Sequence, residues 1–298
     1  MSAPDFPAWS ALALARVEQA LTDWVPAAAP ARLGDAMRYA VLDGGKRLRP
    51  LLVLASAEAV QGNGSAALRA ACAVELIHAY SLVHDDMPCM DNDVLRRGKP
   101  TVHVQYGEAQ ALLAGDALQA LAFELLTPEG DAVPPAMQAA LCGLLARAAG
   151  AAGMAGGQAI DLASVGRVLT EAELRAMHRL KTGALLQAAV RMGAACAAPA
   201  LPVATRAALD DYGAAIGLAF QVVDDILDVT ADSAQLGKTA GKDAAADKPT
   251  YVSLLGLAEA QALAARLHAQ AHRALDASGL AQVALLRNLA DRVVMREN

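Results

Sequence analysis

Apolar residues recur at the three- and four-residue spacing of α-helices along most of this 298-residue chain. Alternation with a period of two, which is typical of strands, is nearly confined to the segment TVHVQY at 101–106. We therefore predict an all-α protein of about ten helices. These helices are expected at residues 8–24, 32–43, 50–60, 66–87, 105–127, 135–149, 171–195, 204–229, 251–276 and 281–296.

Turn-forming residues fall between the predicted helices. They occupy DGGKRLRP at 43–50, QGNGS at 61–65, TPEGDAVPP at 127–135 and the long polar segment 231–249. None of these segments has the composition of an interdomain linker. We therefore predict one domain, residues 1–298.

Composition narrows the class of protein. Hydrophobic residues make up 55% of the chain, which is enough for a large core without disulfides or a structural metal. Cys72, Cys89, Cys142 and Cys196 form no C-x-x-C pair, so we interpret them as small core residues in a reducing cytosol.

Charge and hydropathy exclude several partners. The formal net charge is −6 and the basic residues are dispersed, which argues against nucleic acid and favours cations as partners of the acidic clusters. No basic leader precedes the first apolar stretch, and uncharged runs are short or broken by proline. We expect a cytoplasmic protein without membrane insertion.

Two acidic clusters each follow an apolar helical stretch. The second places Asp224 and Asp228 four residues apart on one helical face, with Asp225 beside them. Carboxylates roughly 5 Å apart repel by about 3 kcal/mol at an effective dielectric constant near 20. A fold that keeps such groups together needs bound cations or basic partners.

The first cluster, DDMPCMD at 85–91, reaches the same arrangement through a bend. Pro88 disfavours helix at Met87, so the chain can curl and bring Asp91 back towards Asp85 and Asp86. Oxygen ligands with room for water suit Mg²⁺. A single Asp-Asp pair is usually a solvated helix end, but two matched clusters favour metal binding.

Basic residues form a complementary set. Lys46, Arg47 and Arg49 follow two glycines that permit a tight turn, and such groups suit a phosphate anion. This segment lacks the glycine and Ser/Thr positions of a nucleotide-binding P-loop. His78 lies close to the helical face of Asp85, where a satisfied core histidine and a binding residue are equal alternatives.

The motifs, taken together and in order, resemble the trans-isoprenyl diphosphate synthase family, most closely its bacterial farnesyl diphosphate synthases. The resemblance covers most of the chain. It rests on GGKRLRP, ELIHAYSLVHDDMPCMDNDVLRRGKPTVH, GEAQALLAGDAL, MAGGQAIDL, HRLKTGALL, GLAFQVVDDILD and LGKTAGKDAAADKPTYVSLLG.

The resemblance implies an all-α fold of about ten helices around a deep apolar cavity. It also implies an enzyme that joins isopentenyl diphosphate to allylic diphosphates, usually as a homodimer. It implies that three Mg²⁺ ions are held by Asp85, Asp86, Asp91, Asp224, Asp225 and Asp228. The allylic diphosphate would also contact Arg96, Lys181, Lys238 and Lys248, with Thr182 and Gln221 near the reacting carbon. Isopentenyl diphosphate would be held by Lys46, Arg49, His78 and Arg97, with Phe220 beside its double bond. Gln158 and Asp161 would have supporting roles.

Product length is expected to depend on the residues that precede Asp85. Tyr80 lies five positions back, roughly 7.5 Å along the helix axis, and Ser81 lies near the Asp85 face. Geometry alone leaves Tyr80 equally a core residue; the resemblance implies that it closes the pocket and limits the product to fifteen carbons.

Three competing hypotheses remain open. A geranylgeranyl or geranyl diphosphate synthase would share the catalytic residues and differ in the end of the pocket. A class I terpene cyclase would share the first acidic motif only. The third is a non-catalytic protein. The intact motifs argue against a partner subunit that only regulates an active synthase, and a plain helical scaffold would leave Lys46, Arg49 and Lys181 without a role.

Overall fold

The chain folds almost entirely into helices. The structure, a computed structural model, describes residues 5–42, 44–130, 132–167, 169–230 and 250–295. Its α-helices in these ranges are α1 Phe6–Trp24, α2 Leu33–Val41, α3 Leu48–Ala59, α4 Gly64–Asp85, α5 Val102–Tyr106, α6 Glu108–Leu126, α7 Pro135–Ala149, α8 Met154–Ala163, α9 Glu171–His178, α10 Ala184–Ala195, α11 Val203–Thr230, α12 Tyr251–Leu255, α13 Leu257–Ala277 and α14 Ala284–Val294.

Three short elements complete the described fold. A 3₁₀ turn, Pro30–Arg32, precedes α2, and a π-helical turn, Arg179–Gly183, joins α9 to α10. Leu95–Arg96 and Lys99–Pro100 pair as a small antiparallel hairpin, in which Leu95 faces Pro100 and Arg96 faces Lys99. The hairpin follows the first acidic cluster along the chain.

Helix α4 forms the centre of the bundle. Its side chains are apolar and small on nearly every face, and most of them are buried, as expected for a helix surrounded by others. The Asn63 side chain caps its first turn by accepting a hydrogen bond from the Ala66 amide at 2.9 Å. It packs against α3 and α6, while α10 packs against α3 and α11.

The all-α prediction is confirmed, and each predicted helix is present within a few residues. Gly107 and Gly256, with φ of +89° and +81°, divide two of the predicted helices into α5 and α6 and into α12 and α13. The prediction missed α8. Residues 102–106 of TVHVQY form a helix and are not extended. A segment of five residues is too short for its apolar pattern to distinguish a helix from a strand.

One cluster of buried apolar residues extends from Ala13 in α1 to Val293 in α14. This shared core is consistent with one domain for the described residues, and the single domain 1–298 stays a prediction, since the segment 231–249 lies outside the described residues. Two cysteines, Cys72 and Cys196, are buried as expected, but Cys89 is exposed, so the prediction of four core cysteines was wrong. Cys89 follows Pro88 in the turn after α4, where the chain faces solvent.

Three stretches are long and apolar enough to cross a membrane by length and composition. In the fold, the most hydrophobic window of α4 is 67% buried, that of α6 is 44% buried, and that within Pro135–Ala163 is 33% buried. The last stretch comprises α7 and α8, which are separate helices. The high hydropathy of α4 is thus explained by its central position in the bundle.

Candidate active site

Two cavities adjoin inside the bundle. The first, of about 380 Å³, lies between the C-terminal half of α4, α8 and the π-helical turn; we call it the α4–α8 cavity. The second, of about 530 Å³, lies between the segment 45–51, α4, α11 and α14; we call it the α3–α11 cavity. Arg49 and His78 line both, so these two side chains form the wall that the cavities share.

The first acidic cluster curls at the end of α4, as Pro88 predicts. The Asp91 amide donates to the Asp85 carbonyl at 2.9 Å, and the Asp93 amide donates to the Asp86 carbonyl at 3.1 Å. These bonds return the chain to the helix end, so Asp91 lies close enough to influence Asp85 electrostatically. The predicted approach of Asp91 to Asp85 is confirmed.

Asp85 lines the α4–α8 cavity in an environment that needs a cation. Burial raises the pKa of Asp85 to about 6, Lys181 opposes the rise, and the negative charge of Asp91 adds to it. A divalent cation would offset both the burial and the repulsion. Since the predicted ligands are all carboxylates, with no histidine or cysteine among them, the donor set fits Mg²⁺.

Asp86 is tied to the small hairpin. Its two carboxylate oxygens accept from Arg96 in a bidentate pair, Nη2 to Oδ1 at 2.6 Å and Nε to Oδ2 at 2.8 Å. Burial raises the pKa of Asp86, and the hydrogen bond from Arg96 opposes that rise. Arg96 therefore fixes the first acidic cluster, and a diphosphate would have to share this arginine with Asp86.

The second acidic cluster lies within α11, which runs on to Thr230. Asp224 lines the α3–α11 cavity. Asp225, which is 3% exposed, uses both oxygens inside the protein: Oδ1 accepts from Gln221 Nε2 at 2.9 Å, and Oδ2 accepts from the Tyr251 amide at 2.7 Å. Asp228 is buried one turn after Asp224.

The π-helical turn places Lys181 and Thr182 on the wall of the α4–α8 cavity. Lys181 Nζ donates to Asp161 Oδ2 at 2.5 Å, and Thr182 Oγ1 donates to Gln221 Oε1 at 2.9 Å. Gln221 also donates to Asp225, so a chain of hydrogen bonds joins this turn to the second acidic cluster. Single π turns are frequent at functional sites.

Glycines allow the π-helical turn to sit this close to its neighbours. A Cβ on Gly157 of α8 would lie 2.1 Å from the Lys181 amide nitrogen. A Cβ on Gly217 of α11 would lie 2.9 Å from the Cα of Gly183. Gly157 of MAGGQAIDL and Gly217 of the segment before DDILD are thus explained by close packing on the turn.

The α3–α11 cavity is lined by basic groups. Lys46, Arg49 and Arg97 all line it, and Phe220 adds an aromatic face. Arg97 donates to the Gly44 carbonyl at 2.7 Å, so one part of its guanidinium is fixed by the preceding turn. The arrangement suits a phosphate anion.

Arg49 and His78 determine the charge and the free hydrogen-bond donor of the wall that the two cavities share. Nε of Arg49 is buried and has no hydrogen-bond partner among the described residues, which is unusual for a buried donor. Burial lowers the pKa of His78 well below its usual value, and Arg49 and Arg97 lower it further. His78 is therefore neutral at pH 7, and Arg49 has a donor available for an anion.

Arg47 has a different role from the one that its sequence position suggests. Its side chain is only 3% exposed and lies between Glu18 and Glu75, with both contacts at 2.7 Å, and it also donates to the Val41 carbonyl. The expectation that Arg47 suits a phosphate was wrong. Glu18, Glu75 and the Val41 carbonyl take up four of the five N–H groups of this guanidinium.

Tyr80 and Ser81 both line the α4–α8 cavity, as the candidate chain-length residues should. The Tyr80 ring makes an edge contact with the His84 ring, at 5.7 Å between centroids. His84 in turn packs on Gly115 of α6, where a Cβ would lie 2.1 Å from its Nε2. Gln119 of α6 hydrogen-bonds to Tyr80.

The sequence analysis gave one cavity-lining residue only a supporting role and missed another. Gln158 of α8 lines the α4–α8 cavity with its buried Nε2 unpaired, although α8 itself was not predicted. Arg292 of α14 lines the α3–α11 cavity, and no local motif marks it. Lys238 and Lys248 lie outside the described residues.

Comparison with known proteins agrees with this geometry. The polyprenyl synthetase family model matches residues 30–283. A probable farnesyl diphosphate synthase of Bradyrhizobium diazoefficiens is 52% identical over 268 residues, covering 89% of this chain and 80% of that protein. The large subunit 1 of a heterodimeric chloroplastic geranylgeranyl pyrophosphate synthase of Arabidopsis thaliana is 46% identical, covering 95% and 77%.

A solved structure shows the same fold. The geranyltransferase of Helicobacter pylori, complexed with magnesium and isoprenyl diphosphate, aligns with a TM-score of 0.84 at 34% identity, covering 99% of this chain and 98% of that one. Fold, cavities and sequence therefore agree on one class of protein, the prenyltransferases. The chain belongs to the polyprenyl synthetase family.

Proposed function

We propose that this prenyltransferase condenses isopentenyl diphosphate head-to-tail with dimethylallyl and then geranyl diphosphate, and releases (2E,6E)-farnesyl diphosphate. The observation that carries the proposal is the pair of adjoining cavities. One presents Asp85 beside Lys181, and the other presents basic groups. Two diphosphates, one bound through Mg²⁺ and one bound directly, would lie on either side of Arg49 and His78.

At the α4–α8 cavity, the allylic diphosphate would be bound through Mg²⁺ held by the two acidic clusters. Asp85 would reach the metal from the wall of this cavity, and Asp224 would reach it from the wall of the adjoining α3–α11 cavity. The metal ligands proposed are Asp85, Asp86, Asp91, Asp224, Asp225 and Asp228, with three Mg²⁺ ions per site. When bound, Mg²⁺ neutralises the charge that develops on the leaving diphosphate. Lys181 and Arg96 add direct contacts, and Lys238 and Lys248 are proposed to join them.

In the α3–α11 cavity, isopentenyl diphosphate would be bound by Lys46, Arg49 and Arg97. The unpaired Nε of Arg49 supports this assignment. The neutral His78 would donate or accept a single hydrogen bond instead of adding charge. Phe220 lies on the same cavity wall, where it can face the double bond of the substrate.

The reaction breaks the carbon–oxygen bond of the allylic diphosphate and leaves an allylic cation. The double bond of isopentenyl diphosphate attacks this cation, a carbon–carbon bond forms, and a proton is then lost to the departing diphosphate. Thr182 and Gln221, hydrogen-bonded at 2.9 Å, would orient the reacting end of the substrate. The apolar part of the cavity wall, which includes Met90, Met154 and Leu162, would exclude water that could otherwise capture the cation.

We further propose that the enzyme is a cytoplasmic homodimer. Helix α6 supports the dimer, because Leu112 and Leu113 are 46% and 52% exposed side by side on a markedly apolar helix. A geranylgeranyl or geranyl diphosphate synthase is the alternative product assignment. The resemblance to a large subunit of a heterodimeric synthase keeps a partner-dependent enzyme as a second alternative.

The test is an incubation of the purified chain with Mg²⁺, labelled isopentenyl diphosphate and dimethylallyl, geranyl or farnesyl diphosphate, followed by mass spectrometry. We expect fifteen-carbon product and one diphosphate released per isopentenyl unit consumed, with both lost in EDTA. A main product of ten or twenty carbons would contradict the product assignment. If the purified chain were inactive, the proposal that it works without a different partner subunit would be wrong.

The metal assignment is tested separately by substitution. Asp85→Ala and Asp224→Ala should each lower kcat by about a hundredfold or more, because each removes a ligand that balances the leaving charge. Asp211→Ala is the matched control, since Asp211 is an exposed aspartate on the same helix as Asp224. Wild-type turnover in either site variant would exclude its carboxylate from the site.

A further inference from the structure

A cluster of metal-ligating side chains lies between α13 and α14. His268 and His272 are four residues apart in the segment HAQAH of α13, so both project from one face of the helix. Asp291 of α14 meets them. Among the described residues this is the one group of three His, Cys, Asp or Glu side chains whose ligand atoms all lie within 4.8 Å of one another.

The three side chains converge on one point. Nε2 of His268 and Nε2 of His272 lie 3.1 Å apart, and Oδ1 of Asp291 lies 2.6 Å from the first and 2.8 Å from the second. Because the longest side of this triangle is 3.1 Å, a point roughly 2.1 Å from all three donors exists above its plane. That distance is the usual length of a bond from Zn²⁺ to imidazole nitrogen or carboxylate oxygen.

We propose that His268, His272 and Asp291 bind a divalent transition-metal ion of the Zn²⁺ type, with water completing the coordination. Two imidazoles and one carboxylate select such an ion over Mg²⁺, which prefers oxygen ligands. The site is therefore chemically distinct from the all-carboxylate site at the end of α4. It also bridges two helices, so an ion bound there would link α13 to α14.

Accessibility and charge agree with this assignment. The three side chains are 23%, 26% and 39% exposed, which leaves a path for the ion and room for a water ligand. Burial raises the pKa of Asp291, but hydrogen bonds from His268 and His272 outweigh burial and lower it below its usual value. Asp291 is thus ionised at neutral pH, as a metal ligand must be.

Arg287 is the group that opposes the metal. Its Nη1 lies 3.1 Å from Nδ1 of His272, and its Nη2 pairs with Asp276. Donation to Nδ1 leaves the imidazole proton on Nε2, where the metal would bind. Metal binding therefore requires Arg287 to turn away and the proton to move to Nδ1, so Arg287 weakens the site.

The site has a physical connection to the α3–α11 cavity. Asp291 immediately precedes Arg292 and Val293, which both line that cavity. An ion that fixes Asp291 against α13 would hold this part of α14 in place. Binding to the folded state alone also raises the melting temperature.

The test uses the full chain after removal of bound metal with EDTA and dialysis. Zn²⁺ is titrated by calorimetry in millimolar Mg²⁺, which keeps the acidic clusters occupied, and Co²⁺ is titrated by its visible absorption. We expect one Zn²⁺ site per chain, a Co²⁺ spectrum of mixed nitrogen and oxygen ligands, and a rise in melting temperature with Zn²⁺. Absence of all three would overturn the proposal.

Variants locate the site. His268→Gln, His272→Gln and Asp291→Asn should each weaken Zn²⁺ binding by roughly tenfold or more. Gln270→Ala, an exposed position between the two histidines, is the matched control and should bind Zn²⁺ normally. Circular dichroism shows that each variant is folded. Unchanged affinity in the histidine variants would place the ion elsewhere.

Arg287→Met supplies a test in the opposite direction. Removal of the guanidinium frees Nδ1 of His272 and removes a positive charge near the ion, so Zn²⁺ affinity should rise. Each of the three ligand variants should still abolish this gain when combined with Arg287→Met. Weaker binding in Arg287→Met would show that the ion is not held through Nε2 of His272.

Discussion

Neighbouring arginines in the segment GGKRLRP have opposite roles. Arg47 is buried between Glu18 and Glu75, whereas Arg49 reaches the wall shared by the two cavities with its Nε unpaired. Composition and spacing identify a basic segment, but they do not say which guanidinium finds a carboxylate inside the protein. That depends on Glu18 and Glu75, which come from α1 and α4 and meet only in the folded chain.

Tyr80 is the residue on which product length should depend. Tyr80→Ala removes the ring that packs against His84 in the α4–α8 cavity, so the product should shift towards twenty carbons. Tyr80→Phe retains the ring and loses only the hydroxyl, and should still give fifteen carbons. Mass spectrometry of the products measures both. An unchanged product from Tyr80→Ala would reject this role.

The adjacent Asp224 and Asp225 should differ in what they stabilise. Asp225 accepts hydrogen bonds from Gln221 and from the Tyr251 amide, and an asparagine can accept only with one of its two side-chain atoms. Asp225→Asn should therefore lower the free energy of unfolding by about 1 kcal/mol or more. Asp224→Asn should instead raise the Mg²⁺ concentration needed for half-maximal activity.

Urea unfolding and Mg²⁺ titration of activity separate the two effects. Asp224→Asn should lose less stability in urea than Asp225→Asn, because Asp224 lines a cavity whereas Asp225 is 3% exposed. If Asp225→Asn were as stable as wild type, the two hydrogen bonds would not support α12 and Gln221 as inferred. If both variants lost the same free energy of unfolding, Asp224 and Asp225 would not differ in their contribution to stability.

At the level of elements, the sequence predicts helices well and their interruptions poorly. The 3.6-residue pattern of 171–195 is continuous, yet the structure divides it with the π-helical turn Arg179–Gly183. One extra residue in a turn hardly changes the apolar pattern. The glycines that accommodate it, Gly157 and Gly217, lie on other helices, so a local pattern cannot reveal their purpose.

Gly217→Ala should test the importance of that turn. The added methyl group would meet the Cα of Gly183 at 2.9 Å, so the turn must shift and carry Lys181 and Thr182 with it. A misplacement of this kind should lower kcat by about tenfold to a hundredfold. Gly64→Ala is the control, since nothing lies within 4 Å of that position. Wild-type kcat in Gly217→Ala would show that the turn tolerates displacement.

His178, the last residue of α9, should make stability depend on pH. Burial lowers the pKa of His178 to about 4, with Lys181 lowering it further and Asp161 opposing the shift, against 6.5 as the ordinary value. Because the unfolded chain binds the proton more readily, this contribution is present above pH 6.5 and is lost as the pH falls towards 4. The loss is about 3 kcal/mol at most.

The measurement is the free energy of urea unfolding from pH 7 to pH 4 for wild type and His178→Phe. Phenylalanine keeps an aromatic ring beside Tyr251, whose ring centroid lies 5.4 Å from that of His178. The variant should lose less stability than wild type over this pH range. Parallel curves for the two proteins would mean that His178 protonates without cost in the folded state.

At the scale of the whole molecule, the sequence predicts the class of fold more reliably than it predicts any single contact, and the joint acidic site stays a prediction. Asp85 and Asp224 are 139 positions apart, yet their matched motifs indicate a shared ligand because each cluster alone is electrostatically unfavourable. The His268, His272 and Asp291 cluster gave no such signal. Its aspartate is isolated in sequence and reaches the histidines only when α14 packs on α13.

Helix α6 links the surface to the product-determining end of the cavity. Its Gln119 hydrogen-bonds to Tyr80, and its Leu112 carbonyl lies 3.1 Å from His84 Nε2, while the Leu112 and Leu113 side chains are exposed. A monomer would leave this apolar surface in water. A second copy of the chain would cover it and fix the helix against which Tyr80 and His84 pack.

Replacement of both leucines by glutamate should therefore convert the proposed dimer to a monomer. Light scattering after size-exclusion chromatography should give twice 30.6 kDa for the wild type and 30.6 kDa for Leu112→Glu/Leu113→Glu. Burying two like-charged carboxylate pairs in a symmetric interface is unfavourable, because each pair meets its own copy. Leu12→Glu, at an exposed leucine of α1, is the control and should remain dimeric. A dimeric double variant would place the interface on another surface, and a monomeric wild type would exclude the dimer itself.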